Sequence, residues 1–93
     1  MQPQDVHVLK KGFVMLHCAA ISPGGGHAYI HWLRAGRNIS RTGPRHHVLQ
    51  DDTLLLTNVR VLDGGEYSCV ASNQHGQSVS TAELTVSSES LIV

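Results

Sequence analysis

The chain has 93 residues, with seven Lys/Arg balanced by seven Asp/Glu. That length suits one small domain, and the balance lacks the overall basic field that a nucleic-acid-binding module needs. No apolar run approaches membrane-spanning length, which argues against direct membrane insertion, and two cysteines without CxxC or Cys/His spacing read as one bridge rather than a zinc site.

A domain this small buries only roughly 60–65% of its unfolded surface. A covalent staple closing a loop of about 50 residues would add roughly 4 kcal/mol. Residues 1–4 read as a flexible lead-in, with Met1 an added start. Gln2, Pro3 and Gln4 make no cleavable signal, so the chain reads as a module cut from a longer protein.

Val6 and Val8 alternate with Asp5 and His7, predicting a short first strand near a sheet edge, and Lys10-Lys11-Gly12 turns the chain. A second strand is expected over Phe13–Ala20. Val14, Leu16, Cys18 and Ala20 share its inward parity, while Phe13, Met15, His17 and Ala19 point out. Phe13 and Met15 suit either a contact patch or the ordinary scatter of exposed apolar residues. Ile21–Ala28, with Gly24-Gly25-Gly26, reads as a mobile loop. Tyr29–Leu33 is the third strand, with Ile30 and Trp32 inward and Tyr29, His31 and Leu33 outward. Arg34–Arg37 turns the chain, and a short edge strand is expected around Ile39–Arg41.

Val48 and Leu49 close the next strand, Gln50-Asp51-Asp52 turns, and Thr53–Thr57 follows with Leu54 and Leu56 inward. Asn58–Gly64 forms a corner anchored by Val59. The next strand sets Tyr67, Cys69 and Ala71 on one face, with Glu66, Ser68, Val70 and Ser72 on the other. Asn73–Gly76 is a hairpin turn. Gln77–Val86 is the last strand, with Ala82, Leu84 and Val86 inward, and residues 87–93 read as a linker. Seven or eight short strands and no helical periodicity make the chain all-β.

Catalytic patterns are missing from the sequence. There is no nucleophile–base motif, no phosphate-cradling loop after a strand and no paired carboxylates on one face; Asp51 and Asp52 are turn neighbours whose side chains diverge. The expectation is a chain with no enzymatic activity and no cofactor. Seven histidines invite a metal site, but His17 and His31 point outward from separate strands, which in a two-sheet sandwich face away from each other, and a strand sends His46 and His47 to opposite faces, so no metal is expected.

Arg34, Arg37, Arg41 and Arg45, with His46 and His47, occupy a stretch without an acidic residue. Such a cluster attracts heparan sulfate or an acidic protein face, unless Asp51, Asp52 or Asp63 pair with its arginines. Asn38-Ile39-Ser40 is an N-glycosylation sequon inside it. A glycan there would shield part of the basic stretch.

Cys18, Trp32, and Tyr67 two residues before Cys69 form the spacing of an immunoglobulin-type sandwich. With Val14-x-Leu16, Leu54-x-Leu56, Asp63-x-Gly65, Asn73-x-x-Gly76 and Ala82-x-Leu84-x-Val86, the chain from Asp5 to Val86 resembles an I-set (or the similar C2-type) immunoglobulin domain. Variable domains need more residues between the cysteines and a Gly-x-Gly bulge in the last strand. The loop from Ser22 to His27 lacks the Pro-x-Pro usual in the I-set, which leaves its rigidity open. The resemblance implies a two-sheet Greek-key sandwich with one inter-sheet disulfide between Cys18 and Cys69. It also implies that Trp32 packs on that bridge, that the Tyr67 hydroxyl is bonded to backbone, and that Arg60 or Arg45 pairs with Asp63.

Relatives of this kind serve in cell adhesion, guidance and receptor ectodomains. The implied role is a non-catalytic protein-binding and spacer module, extracellular, with protein partners that include a second copy of the chain as a candidate and with neighbouring Ig or fibronectin-like domains in the parent chain. Heparan sulfate is a further partner in view. The outward residues Tyr29, His31, Leu33, Ser68 and Val70 are the first candidate contact face, and the arginine-rich edge (Arg34, Arg37, Arg41, Arg45) the second. The alternative is an intracellular I-set domain of a muscle or cytoskeletal scaffold, with reduced cysteines.

Overall fold

The computed structural model describes residues 5–18 and 20–88. The expectations for residues 1–4, for Ala19 and for the chain past Ser88 lie outside the described residues. Eight strands form: β1 (Val6–Leu9), β2 (Val14–Leu16), β3 (Tyr29–Arg34), β4 (Arg37–Asn38), β5 (His46–Val48), β6 (Leu54–Leu56), β7 (Gly65–Asn73) and β8 (Gly76–Ser87). They build a five-stranded sheet in the order β1-β8-β7-β3-β4 and a three-stranded sheet in the order β2-β6-β5. Every pairing is antiparallel except β1 with β8, which places Val6 beside Leu84 and Val8 beside Val86.

Two-residue periodicity explains the core. On β7 the inward residues Tyr67, Cys69 and Ala71 are buried, and on β8 so are Ser80, Ala82, Leu84 and Val86. Facing them from the three-stranded sheet are Val14, Leu16, Leu54, Leu56 and Val48. Trp32 lies between the layers, opposite Cys69 across the β3–β7 ladder, and is 1% exposed. Its indole N–H donates to the carbonyl of Asp52 at 2.8 Å, so the one polar atom of the largest core side chain is satisfied. Asp52 belongs to the turn entering β6, and this bond therefore ties the two sheets together. Cys18 and Cys69 are joined by a disulfide, with Cα atoms 5.7 Å apart. The two-sheet, disulfide-linked sandwich matches the fold expected.

Several boundaries differ from those the pattern predicts. The second strand is only Val14–Leu16, not Phe13–Ala20, because its partner β6 offers three residues and no more. Beyond Leu16 the facing chain has already turned at Asp52, whose φ is 68°. The edge strand is Arg37–Asn38 rather than Ile39–Arg41. Ala35 and Gly36 take successive positive φ values of 49° and 82°, the backbone of a two-residue hairpin turn, so pairing resumes at once with Arg34 opposite Arg37. Ile39 donates one more bond to the Trp32 carbonyl, and the chain then crosses to the other sheet, where Val48 N–H bonds the Arg41 carbonyl at 2.7 Å. The strand expected to close at Leu49 ends at Val48, Thr53–Thr57 shortens to Leu54–Leu56, and the last strand runs from Gly76 through Ser87.

Candidate functional site

The corner before β7 is a single 3-10 turn, Val61–Asp63. The Tyr67 hydroxyl donates to the Asp63 carbonyl at 2.5 Å, as the resemblance implied. Asp63 accepts two guanidinium bonds from Arg45 and the backbone N–H of Arg60 at 2.7 Å. Arg45, not the Arg60 side chain, is therefore the ion-pair partner. Burial pushes the Asp63 carboxyl up, but the bonds from Arg45 and Arg60 and the charges of Arg45 and Arg34 outweigh it, and its pKa lies below the usual carboxylate value. Burial also raises the Tyr67 phenol, against the pull of Arg34 and Arg45 and with the help of Asp63.

The four arginines of the basic stretch do not form one patch. Arg45 is spent on Asp63, and Arg41 pairs with Asp52 at 3.5 Å. Arg34 follows the inward parity of Trp32; its guanidinium lies 5.7 Å from the Tyr67 ring centroid and donates to the carbonyls of Leu62 and Gly64. Arg37 is exposed, and its side chain has no hydrogen-bond or ion-pair partner among the described residues. Arg34, Arg37, Asn38, Ser40, Arg45 and His46 line a cleft of about 410 Å³ at this edge. Asn38 is exposed at the end of β4, and the Ser40 hydroxyl of the sequon donates to the Thr42 carbonyl at 2.9 Å.

The outer face of the five-stranded sheet has a different character. Cross-strand register sets His31, Val70 and Val79 in one row and Leu33, Ser68 and Thr81 in the next. Tyr29 is 62% exposed, and its ring centroid is 5.9 Å from that of His31. Val70, expected to point out, does so yet is buried, because β7 is flanked on both sides and its neighbours close over it. Val79 is 57% exposed. It was missed in the sequence, although its parity with Gln77 and Thr81 assigns it to this face. The Nδ1 atom of His31 is buried without a hydrogen-bond partner among the described residues. Tyr29, His31 and Leu33 thus share a face; Arg41 lines a groove with Tyr29 and His31 at its edge, while Arg34, Arg37 and Arg45 line the other cleft.

On the opposite sheet Phe13 and Met15 are exposed, with Met15, Leu55 and His47 in one row. The histidines are dispersed. His17 bonds Thr53 at 2.9 Å, His46 bonds the Ser40 carbonyl at 3.0 Å and His47 bonds Thr42 at 3.2 Å. No group of three His, Cys, Asp or Glu side chains arranged to hold a metal occurs among the described residues. The glycine loop is tethered despite its missing proline. The Asn73 side-chain amide donates to the Pro23 carbonyl at 2.8 Å, and the Ser22 hydroxyl donates to the Gly26 carbonyl at 2.7 Å.

With this geometry in place, the chain is similar to known proteins along most of its length. The family model described as "Immunoglobulin domain" matches residues 1–73. Hemicentin-2 of Mus musculus is 39% identical over 89 residues, covering 96% of this chain. The peroxidasin homolog of Homo sapiens is 36% identical over 86 residues, covering 91%. The chain spans only 2% and 6% of the lengths of these two relatives. Among solved structures, the tandem Ig repeats of Dlar superpose with a TM-score of 0.81 at 28% identity, over 96% of this chain and 46% of that one. A crystal structure of a titin–obscurin-like 1 Ig complex does so with a TM-score of 0.81 at 26% identity, over 96% and 91%.

Proposed function

The chain belongs to the immunoglobulin domain family, and from that premise we propose that it is an I-set recognition and spacer module of a multidomain cell-surface or extracellular-matrix protein, working in adhesion, guidance or receptor recognition. The observation that carries this reading is the outer face of the five-stranded sheet. Tyr29 and Val79 project there on either side of His31 and Val70, and no charged residue interrupts the row. An aromatic anchor beside an apolar strip is the composition of a protein contact rather than of a solvated sheet. The stapled sandwich supplies rigidity, so recognition by this face costs little conformational entropy. Resemblance to a receptor protein tyrosine phosphatase, DLAR, at 28% identity and to the extracellular domains of Drosophila OTK at 25% supports an extracellular setting. Ig neighbours within the same polypeptide suit a chain that matches less than half of the Dlar tandem.

The test is binding by the chain displayed in many copies on beads, offered either to cultured cells or to beads carrying the chain itself. Capture or clustering is expected, and Tyr29→Ala with His31→Ala is expected to abolish it while the melting curve stays in place. Binding that survives both substitutions removes this face from consideration.

The titin–obscurin-like 1 likeness favours a second reading, an intracellular link in a muscle or cytoskeletal scaffold. Mass measurement on the protein from its native cell separates the two. A Cys18–Cys69 bridge and a glycan on Asn38 support the extracellular role, and free thiols with an unmodified Asn38 support the scaffold.

A further inference from the structure

The hairpin that joins β3 to β4 sets Arg34 directly opposite Arg37. Directly paired residues project to the same face, and two like charges there repel. The cleft offsets them only in part. Its one carboxylate, Asp63, already receives two bonds from Arg45 and one from the Arg60 N–H. Arg34 is fixed by the carbonyls of Leu62 and Gly64 and by the Tyr67 ring, so its guanidinium stays at the cleft wall. The Arg37 side chain has no hydrogen-bond or ion-pair partner among the described residues. Donors are thus left over in a cleft of about 410 Å³ whose one carboxylate is already engaged.

We propose that this cleft binds a sulfated saccharide, with Arg37 and Arg34 gripping one sulfate and the polar wall meeting the sugar hydroxyls. The wall favours a saccharide over an acidic peptide. Its exposed side chains are polar, Arg37, Asn38 and Ser40, with His46 and Ile39 half-buried, while Leu56 and Tyr67 are 7% and 2% exposed. Leu56 and Tyr67 are too buried to anchor a peptide side chain, which leaves only part of Ile39, whereas a sulfate accepts forked guanidinium bonds. Arg41, held by Asp52, does not line this cleft, which makes the site narrower than the basic stretch of sequence. The site lies off the Tyr29–Val79 face and stands or falls apart from it.

The experiment titrates the folded chain into a fluorescent heparin hexasaccharide, at low and at physiological ionic strength. Its desulfated counterpart and hexaglutamate serve as competitors. Saturable binding to the sulfated sugar is expected, with neither competitor displacing it. Arg37→Ala should weaken it by about tenfold and Arg41→Ala by no more than about twofold. Absence of binding at physiological ionic strength, equal losses in the two variants, or displacement by hexaglutamate would each overturn the proposal. Unchanged melting temperatures of both variants keep the comparison free of folding effects.

Discussion

Arg45 and Asp63, 18 positions apart, form a two-point ion pair at the base of the sandwich. The folded pKa of Asp63 is lowered from its ordinary 3.8, because the bonds and charges of Arg45, Arg60 and Arg34 prevail over burial. A carboxylate with a depressed folded pKa stabilises the fold fully above its unfolded value. That stabilisation disappears as pH falls through the folded value. Asp51, lowered chiefly by the bond from the Thr53 N–H, acts in the same direction. Chemical denaturation should therefore show stability level above about pH 4 and falling below it. Asp63→Asn should cost about 2 kcal/mol at neutral pH and flatten the acid limb.

The same corner governs alkaline stability. Burial holds the Tyr67 phenol above its ordinary 10.0, so the unfolded chain ionises first and stability should fall as pH rises beyond 10. Tyr67→Phe removes the bond to the Asp63 carbonyl and leaves that acceptor without it. We expect a loss of about 1–2 kcal/mol at neutral pH and a shallower alkaline limb, read by denaturation at stepped pH. A full-depth alkaline limb in the phenylalanine variant would place its origin elsewhere.

Parity along the chain made the interior legible and left the edges obscure. Tyr67, Ala82, Leu84 and Val86 alternate with polar residues, and a buried face admits only one register. No such constraint acts on β4, where the turn expected over Arg34–Arg37 tightens to Ala35 and Gly36, with Ala35 at φ 49°, and pairing resumes at Arg37, earlier than the residues around Ile39 suggest. Val70 is buried on an outward position because of strand order, a property of topology that its immediate sequence does not carry. The choice of Arg45 over Arg60 likewise depended on which chain segment crosses beneath the corner. Loop anchoring by Asn73 came from a residue that reads from the sequence only as part of a hairpin turn.

Reduction tests the staple. The Cys18–Cys69 bridge spans 51 positions, a loop whose closure is worth about 4 kcal/mol in a domain whose whole stability is of order 5–15 kcal/mol. Unfolding free energies from denaturant titration with and without a thiol reductant should differ by about that amount. Cys18→Ala with Cys69→Ala should reproduce the reduced value. A difference below about 1 kcal/mol would mean that Trp32 and its neighbours hold the sheets without covalent help.

Val79 provides a probe of the outer face that leaves the interior alone. It is 57% exposed and sits across from Val70 in the His31 row. Val79→Asp should change stability by no more than about 0.5 kcal/mol while placing an unpaired charge in any interface formed there. Bead or cell binding should be lost and the denaturation midpoint retained. Binding that persists with the aspartate in place would direct attention to Phe13 and Met15 on the other sheet.

Asn38 connects the two candidate surfaces through its position. It is exposed, ends a two-residue strand, and lines the Arg34–Arg37 cleft as well as the neighbouring groove bounded by Tyr29 and His31. Sequon asparagines accept glycans where the segment is accessible in a secreted chain. Expression through a secretory pathway should therefore give a heavier protein, whose extra mass disappears on Asn38→Gln. A glycan anchored at that wall occupies space that a sulfated saccharide would need, so the glycosylated form should bind the heparin hexasaccharide more weakly than the Asn38→Gln form. Equal affinity of the two forms would show that the glycan extends away from the cleft, leaving the arginine pair accessible in both.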